Sequence, residues 1–125
     1  MTYKRKIEFK EEYVQVNLNG EIDAKNELET WKKIREECEK YKCYNVLGIT
    51  GKNVSPYTII DAYEYPKIFE KAGIDSKYRI AWVNKDPKVY NLGKFAVNVM
   101  KNQGMGYGCQ TFLYVSDAKK WLLKK

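Results

Sequence analysis

The chain contains no histidine. That removes the commonest general acid–base side chain, every Ser-His-Asp or Cys-His nucleophile pair, and any zinc site with an imidazole ligand. Cysteine is scarce. Cys38, Cys43 and Cys109 are odd in number and lack the repeated short spacings of a metal knuckle or the even count of a disulfide framework. No hydrophobic run approaches the roughly eighteen residues that a membrane span requires, and MTYKRKIEF has no apolar signal-peptide core. No run of five like charges occurs, so a nucleic-acid-binding arm is not expected. These absences set the expectation of a reduced, cytoplasmic setting with no metal, no cofactor and no nucleic-acid partner.

What is present is an ordinary globular balance. The 125 residues are 44% hydrophobic and 31% charged, enough for a single domain over 1–125 with one core of its own. Lys and Arg number 23 against 16 Asp and Glu, a net charge of +7. The excess is scattered, with Lys4, Arg5 and Lys6 near one end and Lys119, Lys120, Lys124 and Lys125 near the other, which reads as a solvated basic surface.

Hydrophobic periodicity sets out the elements. Ile7 and Phe9, then Val14, Val16 and Leu18, alternate with polar neighbours and predict two half-buried strands joined at Lys10-Glu11-Glu12. Asn19-Gly20 is a turn, and Asp23 is a favourable N-cap for a helix whose buried stripe is Leu28, Trp31, Ile34, Cys38 and Tyr41. Tyr44–Ile49 reads as a buried strand, with a loop over residues 50–54. Ser55-Pro56 opens a second helix with Ile59, Ala62, Phe69 and Ala72 on its core side; Pro66 bends or interrupts it near Tyr65, and Gly73 ends it. Tyr78–Val83 is another buried strand. Asp86-Pro87 starts a third helix with Val89, Leu92, Ala96, Val99 and Met100 on one face, where Gly93 permits close approach to the sheet. A glycine-rich turn leads to a strand over Gln110–Val115, and Ser116 caps a final helix holding Ala118, Trp121 and Leu122. The order is β-β-α-β-α-β-α-β-α, which implies an α/β domain with a largely parallel sheet and an antiparallel hairpin at its start.

That order, with Val16-Asn17-Leu18-Asn19-Gly20-Glu21-Ile22-Asp23-Ala24, resembles the STAS fold of anti-anti-sigma factors, in which a strand runs through a Gly-x-Ile/Leu-Asp turn into the first helix. The segments YRIAWVNKD and FLYVSDAKKWL resemble its SpoIIAA-like branch. The resemblance implies a single α/β domain with a five-stranded mixed sheet and four helices. It also implies a non-enzymatic regulatory module that works through a protein partner or as a homodimer. Classical members carry a phosphorylatable serine in an Asp-Ser pair at the start of the second helix. Ser55 matches that position, but Val54 stands where the acidic residue would be. Ser55 therefore has two readings, a plain N-cap or a phospho-acceptor with Lys52 nearby in sequence.

The remaining motifs have ordinary explanations. Gly104-x-Gly106-x-Gly108 follows a helix and opens a strand, the reverse of a dinucleotide fingerprint. Glu36 and Glu37 fall among lysines on the outer side of the first helix, where i to i+4 pairing accounts for them. No catalytic residue pair stands at a diagnostic spacing. One stripe is less easily absorbed: Tyr57, Ile60 and Ile68, with Glu64 between, lie opposite the core side of the second helix if that helix continues past Pro66. With Lys52 these residues make a candidate interaction surface. The alternative function is a carrier of a small apolar, lipid-like ligand in a pocket between helices and sheet.

Overall fold

The computed structural model describes residues 4–19, 24–51, 65–102, 104 and 108–124. Its elements run β1 (Lys4–Phe9), β2 (Val14–Asn19), α1 (Ala24–Tyr41), β3 (Asn45–Thr50), α2 (Tyr65–Ala72), β4 (Arg79–Asn84), α3 (Pro87–Asn102), β5 (Cys109–Phe112) and α4 (Val115–Leu122). The order and the five-stranded mixed sheet agree with the expectation from periodicity. In space the strands follow chain order, β1-β2-β3-β4-β5. β1 is antiparallel to β2, and each later strand is parallel to the one before it.

The hairpin shows how the chain turns without glycine. Phe9 faces Val14 across the ladder, and Lys10–Tyr13 form the loop, closed by the Lys10 N–H donating to the Tyr13 carbonyl at 2.8 Å. Glu11 takes the left-handed conformation at φ 69°, a position where a side chain is tolerated at a cost.

Three parallel crossovers that advance in one direction place their helices on one face of the sheet. Accordingly, Val14, Val16, Leu18, Val46, Ile80 and Cys109 from the strands meet Trp31, Ile34 and Cys38 of α1, Ile68, Phe69 and Ala72 of α2, and Met100 of α3. The side chains of β1 that share this face are also tied down. Arg5 donates to Thr30 Oγ1 and to Glu29 Oε1, each at 3.1 Å, and Phe9 stacks on Tyr41 with ring centroids 4.2 Å apart. Tyr41 closes the predicted α1 stripe but remains 42% exposed, since only the edge strand lies beneath it.

Among the described residues the other face carries α4 alone, packed on Leu47, Ala81 and Val83 through Ala118 and Leu122. Arg79 pins its C-terminal end. The guanidinium donates to the Trp121 carbonyl at 2.6 Å and lies 3.9 Å from the centroid of the same residue's indole ring. A cation at a helix C-terminus also complements the helix dipole.

Two boundaries differ from the sequence reading by more than one residue. β5 ends at Phe112 rather than Val115, because its partner strand runs out: Val83 pairs with Phe112 and β4 stops at Asn84. α4 then starts at Val115 with Tyr114 in extended conformation at the N-cap, so Ser116 lies inside the first turn and does not cap it. Val115 packs against the α4-side core, and that burial draws the chain into the helix early. At the end of α2 the expectation holds. Gly73 has φ +78°, and the Ile74 N–H donates to the Phe69 carbonyl at 2.9 Å, the left-handed termination that glycine favours.

Candidate functional site

The C-terminal ends of the parallel strands bring unusual residues together. Leu18, Thr50 and Asn84 are register neighbours on the face covered by α1–α3, forming the last row of β2, β3 and β4. The row beneath contains Val16, Gly48, Trp82 and Thr111. Gly48 leaves room for Trp82, whose ring lies where a Cβ would stand: the ideal Cβ position is 2.1 Å from Trp82 Cε3. The indole therefore crosses the neighbouring strand, and its Nε1–H donates to Thr50 Oγ1 at 2.8 Å.

Beside this indole is a partly open cavity of about 50 Å³ between the sheet and the three helices. Trp31 of α1 and Tyr65 and Phe69 of α2 line it together with Trp82. The rings are mutually inclined: Trp31 meets Phe69 at 4.7 Å and 62°, and Trp82 at 5.4 Å and 42°. Leu18, Ile80 and Met100 complete an apolar floor.

Polar groups are set into this apolar wall. Glu27 is only 5% exposed, and its Oε2 accepts a 2.9 Å hydrogen bond from the Tyr65 hydroxyl. Thr50 and Asn84 are buried as well. Trp31 Nε1 is buried and makes no hydrogen bond among the described residues. Buried polar atoms of this kind are normally satisfied, so this N–H carries a desolvation cost. Cys109, also on the wall, has its thiol pushed up to about 12 by burial and is protonated at neutral pH.

Cys38 is held in the same way, with burial the main cause, again at about 12. Folding thus raises two thiols from 9.0, so their burial contributes stability that is fully present below pH 9.0 and is lost as pH rises towards about 12. Tyr78, whose hydroxyl is also raised by burial, acts in the same direction. Near neutral pH a charged thiol reagent is expected to label Cys43, which is partly exposed, and to spare Cys38 and Cys109 until the protein unfolds. Mass spectrometry of the labelled protein checks this, and fast modification of all three under native conditions would contradict the burial.

The residues proposed from sequence fare unevenly. Lys52, Ser55, Tyr57, Ile60 and Glu64 lie outside the described residues, as do Ile59, Ala62 and Asp23. Ile68 is described, and it is not on an outward stripe. It is 7% exposed and belongs to the core with Phe69 and Ala72. The reason is that α2 packs against both α1 and α3, so residues well away from its sheet-facing line are covered too.

Sequence reasoning passed over Glu27, Thr50, Trp82 and Asn84. Glu27 was within reach, because it precedes Trp31 by four residues and so shares the buried face of α1. Thr50 and Asn84 each follow a buried apolar strand, where a polar residue reads as the start of a loop. Among the described residues no group of three or more carboxylates or thiols converges as a metal site, and no helix is long and apolar enough to cross a membrane.

A hairpin followed by three βα units on one face, with a final helix on the other, is the STAS/SpoIIAA-like α/β fold. Among solved structures, the anti-sigma factor antagonist SpoIIAA in its unphosphorylated form superposes with a TM-score of 0.52. The match covers 94% of this chain and 95% of that one, at 15% sequence identity. No family model matches the sequence. No curated protein matches it either.

Proposed function

We propose that this chain is a cytoplasmic, non-enzymatic regulatory module that works by binding a protein partner through the segment between Lys52 and Glu64. The observation that carries this reading is the extent of the structural match. Nearly the whole of each chain is covered, and in SpoIIAA this fold serves an anti-sigma factor antagonist. The position of the segment adds support. It leaves the sheet at Gly51, whose N–H donates to the Leu18 carbonyl at 2.8 Å, and rejoins at Tyr65 beside Glu27. Both junctions stand at the C-terminal edge of the strands, the end at which α/β folds commonly place their sites.

The test is a pull-down from the native cell with Tyr57→Ala/Ile60→Asp beside the parent protein. Partner recovery is expected to fall at least tenfold while the melting curve stays close to that of the parent. Equal recovery by a folded variant would sink the reading. Ser55 is examined in the same experiment. Ser55→Ala is expected to lose about 1 kcal/mol as a lost N-cap, whereas Ser55→Asp keeps the cap. Altered partner binding by a stable Ser55→Asp variant would mark a phospho-acceptor, and unaltered binding would leave the cap as its whole role. A second reading, a carrier of a small ligand, is favoured by the cavity beside Trp82. Its volume admits only a few heavy atoms, which limits the ligand to a small molecule or the end of a larger one.

A further inference from the structure

The C-terminal end of α1 brings two thiols together. Lys42 takes the left-handed conformation at φ 53°. Its N–H donates to the Glu39 carbonyl at 3.4 Å, and the next N–H, that of Cys43, donates to the Cys38 carbonyl at 3.1 Å. This pair of bonds defines a Schellman ending, in which the residue after the left-handed one packs its side chain back over the last turn of the helix. Both positions that meet in this way are cysteine here.

The backbone permits a covalent link between them. A disulfide needs Cα atoms roughly 4.4–6.8 Å apart. The 3.1 Å hydrogen bond joins the backbones of the two residues themselves, and ordinary bonds, bent at the nitrogen and the carbonyl, then hold the Cα atoms in that range. The thiols also feel each other's charge: after burial, Cys43 is the largest influence raising the Cys38 thiol. Cys43 Sγ has one weak contact to give up, its donation to the Glu12 carbonyl at 3.5 Å. Asn45 Nδ2 donates to the same carbonyl at 3.2 Å, so the hairpin tip stays held when the thiol turns away.

Exposure divides the roles. Cys43 is partly exposed and meets reagents from solvent, whereas Cys38 is 0% exposed and reacts only with a group that the chain itself delivers. An accessible thiol beside a resolving one is the arrangement of a redox-responsive pair, and in a reducing setting such pairs link transiently.

We propose that Cys38 and Cys43 form a reversible disulfide in response to a hydroperoxide, with Cys43 the thiol attacked first and Cys38 the one that resolves it. The Cys43 thiolate attacks a peroxide oxygen, the O–O bond breaks, and Cys43 becomes a sulfenic acid as hydroxide or alkoxide leaves. The Cys38 sulfur then bonds to the Cys43 sulfur, the S–O bond breaks, and the hydroxyl leaves with the Cys38 proton as water. Two electrons pass from the thiols to the peroxide, and a dithiol returns them by exchange. This site is separate from the partner surface proposed above, and either one stands if the other fails.

Hydrogen peroxide, applied to the intact protein before alkylation and trypsin, is the test. Lys40 and Lys42 lie between the cysteines, so trypsin parts residues 36–40 from residues 43–52 unless a disulfide joins them. The expected product is that joined pair, lighter by two hydrogens and separated again by a dithiol. With dimedone present, Cys43 is expected to carry about tenfold more sulfenic adduct in Cys38→Ala than in the parent, where Cys38 consumes the intermediate. Equal adduct in a folded Cys38→Ala variant and the parent would overturn the resolving role. Cys43 that stays reduced, ends as a sulfinic acid, or links to Cys109 or to a second chain would overturn the pairing. The peptide map needs only the parent protein, so it decides the matter even if Cys38→Ala fails to fold.

Discussion

Replacing Gly48 with alanine is expected to cost about 3 kcal/mol of folding stability, the upper part of the range for overpacking a well-filled core. The added Cβ would sit 2.1, 2.3 and 2.4 Å from three atoms of the Trp82 ring. A ring at the end of a loose side chain would step aside. This one is held by its hydrogen bond to Thr50 and by Trp31 at 5.4 Å, so moving it breaks the first contact and disturbs the second. Exchanging glycine for alanine within a regular element recovers roughly 0.5–1 kcal/mol, too little to reverse the sign. Urea titration is the measurement, with a lower midpoint and an unchanged slope expected. Adding Trp82→Leu should relieve the clash, so that the double variant is more stable than the two separate losses would sum to. An unchanged midpoint for Gly48→Ala alone would show that the indole is free to move, and the cavity wall with it.

The largest loss from a single truncation is expected at Trp31. It is 3% exposed and bridges three elements, touching Phe69 of α2 and Trp82 of β4 from its place on α1. Trp31→Ala should cost about 3–5 kcal/mol, a large share of the 5–15 kcal/mol by which ordinary domains are stable. Trp31→Phe should cost less than about 2 kcal/mol. It retains an aromatic ring and deletes an indole N–H that is buried without an acceptor among the described residues, which offsets part of the lost packing. Thermal and urea unfolding of the two variants would separate them. A phenylalanine variant as damaged as the alanine one would mean that the N–H is satisfied in solution.

How much of this was legible depended on whether the signal was local. The α1 stripe, the Val14-Val16-Leu18 alternation and the Val89–Met100 face are periodic patterns within one element, and most of their residues bury as the period implies, with Tyr41 left exposed and Leu28 and Leu92 half-buried. Ile68 was misplaced because its burial comes from neighbours on both sides of α2, which no pattern inside that helix records. The cavity was illegible for a related reason. It exists because Gly48 and Trp82, far apart in sequence, fall opposite one another in a parallel register, and because Glu27 and Tyr65 meet across a gap of 38 residues. Periodicity sorts residues into faces; it does not say which faces meet.

The agreement between chain order and strand order has a consequence for assembly. Because the sheet reads β1-β2-β3-β4-β5 from one edge to the other, no strand is inserted between two that are already paired. The hairpin offers one edge, and each following βα unit closes a single loop of modest length onto the edge left by its predecessor. The entropy lost at each closure grows only slowly with loop length, so the sheet can widen in small increments instead of through one costly long-range encounter. A topology of this kind keeps contacting residues near in sequence for a parallel sheet, the condition associated with faster folding.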